Sequence, residues 1–305
     1  MGRIGIYVER HTISNSDEMN ALMRFAQSAR KLGHSADYLF RPDMYKIPEY
    51  DAIFIRALTD PLNSTYVASR MAQLHGLRVI DDPDSIFICC DKVSMYHHLS
   101  RAGVAIPITE FIQTEDVTPE NGKLLLERFG SPMVLKAPNS SFSLYVDRVY
   151  TPEEFVKVGN KFLRRADRIV VQDFIKSDFD WRVGILAGKV IYVCQYTIPK
   201  KHWKILSYTN EGRTIYGPVV GVAIEKAPPG LLKTALDAAA AIGNGLYGVD
   251  LKQIGDDFVV IEVNDNPTII GGEEDQRSSN LYEEVVRYLM EGIKANDRNG
   301  SNSSG

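Results

Sequence analysis

The sequence is poor in cysteine and tryptophan, with three of the first (Cys89, Cys90 and Cys194) and two of the second. An odd number of cysteines, two of them adjacent, excludes a disulfide framework and suits a reducing compartment. Long apolar runs are missing. Nothing approaches the ~20 residues that cross a bilayer, and the strand-like Ile4–Val8 is too short and wrongly flanked for a leader peptide. These absences predict a cytoplasmic chain with no membrane partner. Positive charge is not in excess, since 35 Lys and Arg face 39 Asp and Glu for a net charge of −4. A nucleic-acid partner needs a basic patch and is therefore not expected. No Gly-x-Gly-x-x-Gly follows the first strand, which removes the dinucleotide fingerprint and disfavours a redox enzyme. No internal repeat is visible.

What is present is globular. Hydrophobic residues make up 44% and charged residues 24% of 305 positions, enough for two or three subdomains. Strands are predicted at Ile4–Val8, Ala36–Phe40, Ala52–Ile55 and Leu77–Ile80, alternating with helices over 17–32 and 63–74. That alternation predicts a parallel, doubly wound sheet. Asp81–Asp84 is a turn and a domain boundary. Beyond it, helices are expected from Lys92, from Thr118-Pro119 and from Thr151-Pro152-Glu153-Glu154, the last a capping box. Strands follow at Met133–Ala137, Tyr145–Tyr150 and Ile169–Ile175. Two hairpins follow, Arg182–Tyr196 turning near Ala187-Gly188, and Tyr247–Ile254 with Phe258–Asn264. Helices are expected over 228–242 and 281–293, and a disordered tail over 294–305.

The second hairpin carries the strongest chemical signal. Asp250 lies within one strand, and Glu262 and Asn264 end its partner two residues apart, on one face. With Gly255-Asp256-Asp257 as a three-residue loop, Asp250 pairs with Glu262 and three oxygen donors converge; a two-residue loop puts Asp250 on the other face. Two carboxylates and an amide suit magnesium. Spacing alone leaves a charged, solvated hairpin end equally open, although Val259, Val260, Ile261 and Val263 argue for burial. Lys136 sits in the apolar strand Met133–Ala137, where it needs an acceptor such as phosphate or snorkels past the sheet edge. Lys92 at a helix start, and the polar loop Asn139–Ser143, carry little on their own.

Order makes these parts informative. Lys92, Val-Leu-Lys136, a Ser-rich loop, Val171-Gln172-Asp173-Phe174-Ile175, Asp180-Trp181-Arg182, Gly-Val-Asp250 and Glu262-Val-Asn264-Asp-Asn-Pro follow one another. The series resembles the ATP-grasp superfamily, and within it the RimK-like carboxylate–amine (glutamate or amino-acid) ligases, over about residues 80 to 293. The segment before it is similar to that family's preceding domain, Tyr50–Arg56 included.

The resemblance implies an α/β chain, α+β in its ATP-grasp part. A Rossmann-like domain over 1–85 would precede a two-lobed ATP-grasp domain over 86–293, with lobes at about 108–175 and 176–293. It implies ATP and two magnesium ions, with manganese able to substitute, and an ADP-forming amide ligase acting through an acyl phosphate. Lys92, Lys136, Ser140 and Ser141 would hold phosphates; Gln172, Asp173, Phe174 and Ile175 would line the adenine; Asp180 would meet the ribose. Asp250, Glu262 and Asn264 would ligate the metal, and Arg182 would be catalytic. The loop 139–143 departs from the family in lacking glycine, which puts nucleotide geometry in question.

Substrates would be small-molecule or peptide carboxylates and amines; a homo-oligomer is compatible with the sequence. Candidates for substrate contacts are Arg56, Lys201, His202 and Asn266, with Glu273 and Glu274 as amine holders or surface acids. The basic turn around Lys201 is equally readable as solvated. Another ATP-grasp class (a carboxylate–thiol ligase or a phosphotransferase) or a non-catalytic nucleotide binder is the alternative.

Overall fold

The first strand, β1 (Arg3–Val8), buries every residue but its first, as a central parallel strand does. The coordinates are a computed structural model that describes residues 1–139, 144–200, 202–208 and 214–292. The readings at Ser140, Ser141, Lys201 and the tail lie outside the described residues. After a short helix α1 (Arg10–Ser14), helix α2 (Ser16–Lys31) starts where the Asn15 side chain accepts from the amides of Asp17 and Glu18. It buries Leu22, Phe25 and Ala29 at helical spacing and ends before Gly33, whose φ of 81° favours glycine. Strands β2 (Ser35–Leu39) and β3 (Ala52–Arg56), helix α3 (Ser64–Leu74) and strand β4 (Arg78–Ile80) complete the run. The sheet is parallel, in the order β2-β1-β3-β4, the doubly wound arrangement expected.

Contacts divide the chain into two units, Met1–Pro83 with Ile269–Gly271 and the chain from Ser279, and Asp84–Thr268 with Gly272–Ser278. In the second unit α4 (Pro83–Cys89) leads to α5 (Lys92–Arg101), whose cap Asp91 accepts from Val93 and Ser94 and so fixes Lys92 as the first helical residue. Strand β5 (Thr109–Ile112), helix α6 (Pro119–Phe129), strands β6 (Met133–Lys136) and β7 (Val146–Val149), helix α7 (Pro152–Leu163) and strand β8 (Ile169–Asp173) form one antiparallel sheet, β5-β8-β6-β7, backed by both helices. Its core is Leu125, Phe129, Met133, Leu135, Phe155 and Val171.

A second sheet follows. Strands β9 (Phe179–Leu186) and β10 (Lys189–Thr197) turn at Ala187 and Gly188, both at positive φ, where the sequence placed the turn. The short strands β11 (Leu206–Tyr208) and β12 (Thr214–Tyr216) pair with each other. Then come β13 (Val219–Val222), helix α8 (Pro229–Ile242), β14 (Leu246–Ile254) and β15 (Asp257–Asn264), in sheet order β13-β10-β9-β14-β15. The last helix, α9 (Leu281–Met290), was grouped by chain order with the second domain. Its buried stripe of Leu281, Val285, Val286 and Leu289 instead meets α2, β3 and β4, so it belongs to the first unit. Among the described residues no helix is long and apolar enough to cross a membrane.

Candidate active site

The sheet β10-β9-β14-β15 has two chemically different faces, written in its period-two pattern. Trp181, Val183, Val193, Val249, Leu251 and Val263 join one core with Leu99 of α5 and Leu231, Ala235 and Ala238 of α8. Their neighbours in sequence point the other way: Asp180 and Arg182 on β9, Tyr192, Cys194 and Tyr196 on β10, Asp250 and Lys252 on β14, Glu262 and Asn264 on β15. Register brings them side by side, with Arg182 between Cys194 and Asp250, and Asp250 between Arg182 and Glu262. Gly184 makes room on this face, because a Cβ there would lie 2.0 Å from the Tyr192 ring.

The register is reached by a route the sequence did not indicate. Ile254 pairs with Asp257, so the loop has two residues, not three, and Lys252 pairs with Val259. Continued regularly, that count would turn Asp250 away from Glu262. A β-bulge at Ile261, between the Leu251–Val260 and Asp250–Glu262 pairs, restores the face. The Ile261 carbonyl accepts a hydrogen bond from the Tyr96 hydroxyl at 2.6 Å, which anchors the bulge to α5.

Two linked clusters result. Arg182 holds Asp250 bidentately, Nε to Oδ1 at 2.6 Å and Nη2 to Oδ2 at 2.8 Å, the strong fork geometry of this pair. The Asn264 amide donates to Asp250 Oδ2 at 3.2 Å and to the Gly248 carbonyl at 3.1 Å. Beside them, Lys92 Nζ lies 2.9 Å from Glu262 Oε1. Lys136 Nζ donates to the Tyr96 hydroxyl at 2.8 Å, and Tyr96 also approaches Gln172 Oε1 at 3.3 Å. Lys92, Lys136, Arg182 and Asp250 are all buried.

Burial and charge pull against each other here. Burial pushes the Lys136 ammonium down to about 8, against the pull of Glu262, Asp180 and Asp173. Burial raises the Glu262 carboxyl, but Lys92, Lys136 and Arg182 outweigh it and hold the group below its ordinary range. Burial lowers Arg182, but Asp250, Tyr196 and Tyr192 together outweigh it, so the guanidinium stays charged. Asp180 is pushed up by burial despite its ion pair with Lys252. Asp173 is likewise raised by burial, and its buried Oδ1 has no hydrogen-bond partner among the described residues.

The remaining expected residues are more scattered. Gln172 is buried and donates to Thr109 Oγ1 at 2.8 Å. Strand β8 stops at Asp173, so Phe174 and Ile175 follow it as half-buried loop residues rather than strand. Phe174 meets Trp203 edge-on at 5.9 Å, and the Arg148 guanidinium lies 5.0 and 4.9 Å from the two rings. His202 is exposed, Asn266 is half-buried, and Arg56 ends β3 in the first unit. Sequence reasoning missed Tyr96, Tyr196 and Lys252. Lys252 carried a signal, a lysine two residues from Asp250 on the same strand; the tyrosines carried none.

The donor chemistry of Asp250, Glu262 and Asn264 fits a hard divalent ion: two carboxylates and an amide, one carboxylate kept charged. Among the described residues no three His, Cys, Asp or Glu side chains gather as a metal cluster. The sequence matches the RimK-like ATP-grasp domain over residues 89–289. The chain belongs to the RimK-like ATP-grasp family. It is 25% identical over 308 residues to a probable alpha-L-glutamate ligase of Vibrio vulnificus, covering 95% of this chain and 96% of that protein. It is 23% identical over 302 residues to probable alpha-L-glutamate ligase 2 of Pseudoalteromonas atlantica, covering 93% and 96%. Its fold matches the crystal structure of a D-alanine–D-alanine ligase from Bacillus anthracis with a TM-score of 0.71, at 16% identity, over 95% and 97% of the two chains.

Proposed function

We propose that this chain is an ATP-dependent, ADP-forming ligase that activates a carboxylate as an acyl phosphate and passes it to an amine, with amino acids or peptides as substrates. One observation carries the reading. Asp250, Glu262 and Asn264 share a sheet face with Arg182, while Lys92 and Lys136 approach the same carboxylate cluster from α5 and β6. An amide does not form from a carboxylate and an amine at neutral pH unless the acid is first activated. Cations aligned on a transferring phosphoryl group lower that barrier by neutralising its charge.

The roles follow from chemistry. Asp250, Glu262 and Asn264 would hold magnesium, which would supply further charge neutralisation on the phosphates. Lys92 and Lys136 bind phosphate oxygens, with Ser140 and Ser141 as loop contacts. Arg182 faces the phosphoryl group as it moves. Gln172, Asp173, Phe174 and Ile175 line the adenine, and the unpartnered Asp173 Oδ1 suits its amino group. Asp180 meets the ribose after sharing or leaving Lys252. Arg56, Lys201, His202 and Asn266 are our candidates for the acid and amine. The names of the relatives support an amino-acid substrate, and the chain would act in the cytoplasm.

Hydroxylamine is the discriminating reagent, because it converts an acyl phosphate to a hydroxamate. Hydroxamate formed with Mg-ATP and a carboxylic acid is expected. ADP formed with no hydroxamate for any accepted acid would replace ligase chemistry by simple phosphotransfer.

A further inference from the structure

Asp250 has two partners to satisfy. Both its oxygens already accept from Arg182, and Oδ2 accepts from Asn264 as well. If Asp250 ligates a divalent ion through the lone pair still open on Oδ1, the reading on which this inference rests, the ion draws charge off the carboxylate and weakens its hold on Arg182. A buried guanidinium that loses its carboxylate without replacement is costly. Arg182 is buried, so water supplies little compensation.

The other side of the guanidinium faces the Tyr196 hydroxyl and, through it, a second carboxylate. Arg182 Nη1 lies 3.4 Å from the Tyr196 hydroxyl, and the guanidinium sits 4.6 Å from the Tyr196 ring centroid. Tyr196 in turn hydrogen-bonds the Glu274 carboxylate, which is 1% exposed. A carboxylate only accepts, so the Tyr196 hydroxyl donates to Glu274 and turns its lone pairs toward Arg182. The chain therefore runs from Asp250 through Arg182 and Tyr196 to Glu274, with the cation between two acids. The ring adds a cation–π contact on the same side.

We propose that Tyr196 and Glu274 are positioning residues for Arg182, which keep this buried cation oriented and neutralised when Asp250 turns to a divalent ion. Arg182 then stays aimed at the phosphoryl group while Asp250 shares its charge with the ion. Supports of this kind around metal sites are worth about 10- to 100-fold in metal affinity.

The test is Mn2+ binding to the full chain without nucleotide, followed by electron paramagnetic resonance, in wild type, Tyr196→Phe and Glu274→Gln. Both variants are expected to bind Mn2+ about 10-fold more weakly. Tyr196→Phe leaves net charge untouched, so its loss reports the hydroxyl link, and wild-type affinity in that variant overturns the proposal. In an Arg182→Met background, Glu274→Gln is expected to have no further effect. An undiminished loss there would mean that Glu274 acts through its own field, which also overturns the positioning role. Wild-type protein that binds no Mn2+ sinks the metal reading itself, whereas wild-type binding with indifferent variants sinks only this inference.

Discussion

Lys136 gives the sharpest functional prediction, because its burial sets a pH at which phosphate binding fails. Its ammonium is 7% exposed, and burial brings it from 10.5 to about 8. A displacement of that size corresponds to about 3 kcal/mol against the charged form. Between about pH 8 and 10.5 the unfolded chain binds the proton that the folded chain has lost, so stability rises with pH across that window; below about 8 the full penalty is present. ATP reverses the preference, since phosphate oxygens stabilise the ammonium. Near pH 8 about half the free sites hold a neutral lysine. ATP binding there should take up on the order of half a proton, and affinity should fall by up to about tenfold per unit above pH 8. Calorimetry in two buffers of different ionisation enthalpy measures the uptake. Lys136→Arg, charged throughout, should flatten the profile. Wild-type affinity that stays level from pH 7 to 9.5 with no proton uptake would refute the reasoning.

Three further outcomes are expected. Asp250→Ala strands the Arg182 charge and should cost about 3–5 kcal/mol of stability, while joint replacement of Arg182 and Asp250 by apolar residues recovers much of it; denaturant titration decides. Asp250→Asn removes the same charge and keeps one acceptor oxygen, so its folding is checked by the same titration before its activity is read. Gly184→Ala places a Cβ 2.0 Å from the Tyr192 ring and should destabilise by about 1–3 kcal/mol, read from the same titration. Lys92→Met leaves the partly exposed Glu262 without its 2.9 Å partner. Glu262 should then titrate higher, and ATP turnover should fall most at the acidic end of the profile.

Much of this was legible because strands and helices write their own periods. The alternation Asp180-Trp181-Arg182-Val183 already separates a core face from a polar face, and Thr151 caps its helix by accepting from the Glu154 amide, while the Glu154 carboxylate accepts from Tyr150 rather than Thr151. The site was legible in composition but not in register. Loop counting leaves two or three residues open after Ile254, and only three would pair Asp250 with Glu262 in a regular hairpin; the structure has two and a bulge at Ile261, which restores that pair. A bulge leaves no mark in a run such as Val-Val-Ile-Glu-Val, because the Tyr96 hydroxyl that secures it is 165 positions away. The same distance problem hid the Tyr196–Glu274 link and the return of α9 to the first unit. Asp250 illustrates the limit from the other side. Its residue type says metal ligand, but only the register shows that Arg182 stands opposite it.

The central claim is carboxylate–amine ligation, and product release tests it most directly. ADP and phosphate would be measured with Mg-ATP over a panel of amino acids and dipeptides, with Asp250→Asn in parallel. Substrate-dependent ADP and phosphate in equal amounts, lost in the variant, are predicted. ADP release indifferent to every acid and amine, or unaffected by Asp250→Asn, would contradict it.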